Sequence, residues 1–174
     1  MNVYGWVLFA HSYLRWFILV AMLLLLVRAF VGAARGSRWN EADERLHVIN
    51  LSLLDLQFTL GLLLYAFLSP WVRTFFADVG AAMKDSVLRF YGVEHILTML
   101  LAVALMHISR ARSKRSTHPK QRYRRVAVST LIALVLILVS IPWPGRRYGR
   151  PLLRGVSQLE LPVRAFDSVR GLST

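Results

Sequence analysis

The chain is 174 residues long, 56% hydrophobic and free of cysteine, with a formal net charge of +13. So much apolar residue beside so few acids is unlike a soluble domain. The missing cysteines exclude disulfides, iron–sulfur ligation, thiolate catalysis and covalent haem attachment through a Cys-x-x-Cys-His motif.

Bases and apolar runs occupy different stretches, the signature of membrane spans joined by basic loops. This makes the lipid bilayer the expected partner and argues against nucleic acid. The pattern predicts an all-α fold, an integral membrane up-down-up-down four-helix bundle over residues 1–145, and a polar, Arg-containing tail at 146–174. With about 20 residues needed per span, the first helix covers residues 4–30. No base precedes it and Arg15 interrupts it, so it reads as a retained helix rather than a cleaved signal peptide.

A short polar link with Arg35, Arg38 and Arg45 leads to a second span at 46–68, closed by Pro70. This span contains Asn50, Ser52, Asp55, Gln57 and Thr59. Residues 70–87 mix Trp71, Phe75 and Phe76 with Arg73, Asp78 and Lys84, which suits a segment lying in the interface. The third span is 88–109. A link from Arg110 to Arg125 with eight Lys or Arg and no acid follows, then a fourth span at 126–143, ended by Pro142-Trp143-Pro144-Gly145. The basic links are the first and third, so positive-inside bias puts them in the cytoplasm and both termini outside, in a bacterial setting periplasmic. The Arg146, Arg147, Arg150 and Arg154 cluster argues the other way. The basic link is either a topology signal or a site for anionic headgroups or an acidic partner subunit.

Ionisable residues inside spans point to function. His11 and His95 each lie seven residues inside the outer end of their helices, the first and the third. At 1.5 Å per residue both sit about 10 Å below one surface, as axial ligation of a haem iron requires. Arg15, one turn from His11, can anchor a haem propionate or pair with Asp55 at a similar depth. Glu94 can orient an imidazole or carry protons. The plainer reading of these groups is hydrogen bonding between helices and a structural Arg15–Asp55 ion pair.

His47 and His107 form a second layer, read as interfacial and solvated rather than as a second haem site. Gln57, Gly61 and Tyr65 form a stripe that serves close packing at Gly61 or, alternatively, one wall of a quinone pocket. No phosphate loop, nucleophile elbow or zinc-binding His-Glu-x-x-His helix appears.

Several segments carry a resemblance: His11-Ser12-Tyr13-Leu14-Arg15-Trp16; Asp55-Leu56-Gln57 with Gly61-Leu62-Leu63-Leu64-Tyr65; Arg89-Phe90, Glu94-His95 and Met99; His107-Ile108-Ser109-Arg110; and Ile141-Pro142-Trp143-Pro144. In this order they resemble the small bacterial four-helix membrane proteins labelled cytochrome b or cytochrome b-like. One departure is Gly145, where the family pattern tends to have an aromatic. The resemblance implies b-type haem held by His11 and His95, and electron transfer with a quinone or with subunits of a respiratory or other membrane complex in the bacterial inner membrane. The competing expectation is a haem-free accessory or assembly subunit of a larger membrane complex.

Overall fold

The computed structural model describes residues 3–153, and every regular element among them is helical. Four helices are long and apolar enough to cross a membrane: Val3–Arg35, Glu41–Leu68, Ser86–Lys114 and Pro119–Ser140. The first is α1. The second is α2 (Glu41–Leu63) with a π-helical turn, Leu64–Leu68, as its last turn. Short helices α3 (Pro70–Ala77), α4 (Val79–Ala82) and α5 (Ser86–Arg89) follow. A second π turn, Phe90–Glu94, leads into α6 (His95–Lys114), and α7 is Pro119–Ser140.

Local chemistry sets the boundaries. Gly36, at φ 63°, ends α1, and Ser37 N–H returns to Gly32 O at 3.0 Å, the pattern in which a left-handed glycine lets a helix terminate. Asn40 then caps α2 reciprocally with Asp43: each side chain accepts from the other's backbone N–H, at 3.0 and 3.1 Å. Ser69 caps α3, with Pro70 in the first turn where its missing N–H costs nothing.

The helices run past the expected spans: α1 continues to Arg35, α2 starts at Glu41 and α6 continues to Lys114. The fourth helix begins at Pro119, inside the basic link, and stops at Ser140, so Pro142 and Trp143 lie outside it. Residues 70–87 fold as three short helices, with Phe75 packed so closely on Gly92 that a Cβ there would overlap its ring.

α1 packs against α2 and α7, and α6 packs against α7 and, less extensively, α2. Met22, Met106, Val126 and Ala133 are fully buried at the centre. The seam between α2 and α6 is held by two polar contacts. Tyr65 in one π turn donates to Gly92 O in the other at 2.8 Å, and His107 bonds Asp55 at 2.8 Å.

The tail is not wholly separate from the bundle. Gly145, at φ 89°, turns the chain back, and Tyr148 stacks flat on Phe90 with centroids 3.9 Å apart. Leu152 O then accepts from Arg15 at 3.1 Å and Trp16 at 3.4 Å. Residues 146–153 therefore form a strap over the end of the bundle that holds His11 and His95. The remainder of the expected tail, 154–174, lies outside the described residues.

Candidate functional site

The strap and the strap-side half of the helix bundle border a partly open cavity of about 150 Å³ that reaches as deep as Ile18, Leu54 and Ala102. His11 on α1 and His95 at the start of α6 both line it, with ring centroids 6.4 Å apart and planes crossed at 74°. The two imidazoles expected at matched depth thus line one space, edge-on to each other.

Each ring is placed by its neighbours. His95 Nδ1 lies 2.9 Å from Ser140 O, at the end of α7. A carbonyl only accepts, so Nδ1 carries the proton and, in the neutral ring, Nε2 holds the free lone pair. His11 is held less firmly. Gln57 Nε2 donates to His11 O at 3.0 Å and stands 3.4 Å from His11 Nε2, while His11 Nδ1 is buried without a hydrogen bond. Opposite it, Gly61 gives the ring room: a Cβ there would sit 3.1 Å from His11 Cε1. The Gln57–Gly61–Tyr65 stripe packs closely at the glycine and lines the cavity.

Two arginines reach the cavity. Arg15 lies one turn from His11, as expected, and bonds Leu152 O. Arg150, from the strap, donates to Tyr91 Oη at 2.6 Å, and its guanidinium lies 4.7 Å from the centre of that ring. Sequence reasoning missed Arg150 because it sits in a run of tail arginines with no helical pattern to place it. Its one local signal is Gly145, which permits the reversal. Among the described residues, no Asp or Glu lines the cavity. It is thus an apolar space bearing two imidazoles and two guanidinium groups, suited to an apolar ligand with anionic substituents.

Asp55, Glu94 and His47 have surroundings other than those expected. Asp55 does not meet Arg15; it pairs with His107, and both side chains are about half exposed, 49% and 51%. Glu94 turns away from His95 to bond Arg89 at 2.7 Å. His47 is not solvated at an interface but 0% exposed, with neither ring nitrogen bonded, and Trp39 packs edge-on 6.3 Å away. With His47 in the core and His107 on the flank, the two do not line one space as His11 and His95 do.

Around His47 lies a polar node that the sequence did not reveal. Arg28 on α1 grips Asp43 at 2.6 and 3.1 Å, and Tyr123 on α7 donates to the same carboxylate at 2.5 Å. Beside it Glu44 is held by Arg110 and Arg122, and Arg122 stacks over Trp39 at 4.3 Å. Among the described residues no group of three or more His, Cys, Asp or Glu is positioned to hold a metal ion. Comparison with models of known families, with curated proteins and with solved structures gives no match.

Proposed function

We propose that this chain is an integral membrane protein of the b-type cytochrome-like kind, holding one haem between His11 and His95 for electron transfer. In this reading the four long helices cross the bilayer in alternating directions, in a bacterial inner membrane with both termini periplasmic. Segregated bases and apolar helices support the insertion.

The observation that carries the haem assignment is the pair of imidazoles lining one cavity. Their ring centroids are 6.4 Å apart across the cavity, and His11 and His95 would be the residues that hold the haem iron. Ser140 O fixes the His95 tautomer as a carbonyl does behind a metal-bound imidazole. Ligation through either nitrogen of His11 gives up no strong bond, since Nδ1 has none and the 3.4 Å contact of Nε2 is long. Arg15 and Arg150 supply cationic partners for two propionates.

The donor set fits haem, whereas the volume is that of a single aromatic ring. A porphyrin therefore requires lining side chains to turn aside. When bound, the haem would supply one-electron redox chemistry, and the chain sets its potential and access.

The volume also favours a second reading, the haem-free accessory subunit. There the cavity takes nothing larger than a single ring, such as a quinone head group against Gln57 and His11, and the polar side chains lock the helices together.

An absorption spectrum of detergent-purified protein, oxidised and then dithionite-reduced, separates the two. Sharp reduced α and β bands at near one haem per chain support the first reading, with haem content falling at least tenfold in His11→Ala and in His95→Ala. A featureless spectrum from haem-replete cells, or full haem content in both variants, overturns it.

A further inference from the structure

The four long helices do not share their packing equally. In their most apolar windows 39% of residues are buried in α1 and in α7, but only 17% in α2 and 22% in α6. All four expose large apolar residues, among them Ile49, Leu56 and Phe67 on the α2 span and Leu97, Leu101 and Ile108 on α6, but α2 and α6 carry in addition a smaller, more polar strip along their seam. The outward faces of α1 and α7 are large and apolar, with Phe17, Val20, Leu24 and Val27 on one and Val128, Ile132, Val135 and Val139 on the other. That is what hydrocarbon chains solvate.

On the α2 span this strip is Ser52, Asp55, Thr59, Leu62 and Ala66, spaced alternately three and four residues apart and lying beside the exposed apolar row Ile49, Leu56, Leu63 and Phe67. On α6 the strip is Leu100, Ala104, His107 and Ala111, with the same spacing. Such spacing keeps residues on one helical seam, and small or polar residues along a seam let two membrane helices approach closely. The Asp55–His107 pair joins the two stripes, half exposed within the helical spans. In hydrocarbon an ionisable pair so placed is costly, and such groups almost always face protein or a water-filled cavity.

Resting on the membrane reading above but independent of haem, we propose that the α2–α6 face is covered by a second copy of this chain. Charge complementarity selects that occupant. Acid and base lie side by side on one face, so a half-turn about an axis along the seam sets Asp55 of one copy against His107 of the other. α2 then lies against α6 of its mate in a closed, isologous dimer.

The absence of native cysteine makes this testable by cross-linking. Thr59→Cys and Ala104→Cys chains, each with a different tag, are co-expressed and membranes are oxidised with copper phenanthroline. A disulfide-linked species carrying both tags is expected, at twice the 19.9 kDa chain mass. Pairing Ala104→Cys with Val128→Cys, on the lipid-like face of α7, should give none. Asp55→Asn should raise the monomer fraction several-fold by native mass spectrometry.

Membrane-fraction protein with no doubly tagged species and a monomer mass overturns the interface. Cross-linking of these cysteines to a different protein overturns the second copy as occupant. Recovery of the chain in the soluble fraction overturns the membrane reading itself, and the interface with it.

Discussion

At position 43 a carboxylate only 2% exposed accepts from Arg28, from Tyr123 and from the backbone of Asn40. Burying that charge is tolerable because every donor is in place; removing one leaves it uncompensated. Arg28→Met should therefore destabilise the bundle by about 3 kcal/mol, read as a lowered unfolding midpoint in mild detergent. Arg28→Lys should recover part of the loss, since it restores charge without the two-pronged grip. An Arg28→Met protein with unchanged stability would show that Tyr123 and Asn40 suffice. None of this was legible beforehand: Arg28 and Tyr123 are 95 residues apart, and one base near a span end looks like any loop charge. His11 and His95 were legible because both are counted from span ends, and a rigid rise per residue turns a count into a depth.

Among the elements, α1 and α7 pack closely where Gly32 meets Tyr123. A Cβ on Gly32 would come within 2.5–2.7 Å of a phenol ring that is itself fully buried. Gly32→Ala gains helix propensity of about 1 kcal/mol, yet the ring cannot yield without breaking its bond to Asp43. Net destabilisation of about 1–2 kcal/mol is expected, again from detergent unfolding; a stabilised variant would mean the helices separate freely.

The number and order of the long helices were readable from apolar runs, but the start of α7 was not. Hydropathy marks where lipid begins, whereas backbone geometry marks where a helix begins, and Pro119 with its following bases extends α7 seven residues beyond the apolar run. The π turns were equally hidden, since Leu64–Leu68 and Phe90–Glu94 meet through the Tyr65–Gly92 contact, which joins positions 27 residues apart.

For the molecule as a whole, the basic links make an orientation prediction. Reporter fusions at residue 115 should be active only as a cytoplasmic enzyme, and fusions at the C-terminus only as a periplasmic one. The reverse pattern would assign the topological signal to the arginines after Trp143. The strap that carries those arginines was the least foreseeable feature, because a polar tail is read as solvated until Tyr148 finds Phe90 and Leu152 finds Arg15.

That strap also sets an order of events. Residues 146–153 leave the ribosome after all four long helices, so the walls of the cavity exist before its roof. A guest that enters early meets an open vessel, and Arg150 then arrives as the latch, gripping Tyr91. If the cavity takes a guest, as proposed above, entry before that point would not require Tyr148 to leave Phe90 or Leu152 to leave Arg15, whereas entry from the strap side afterwards would.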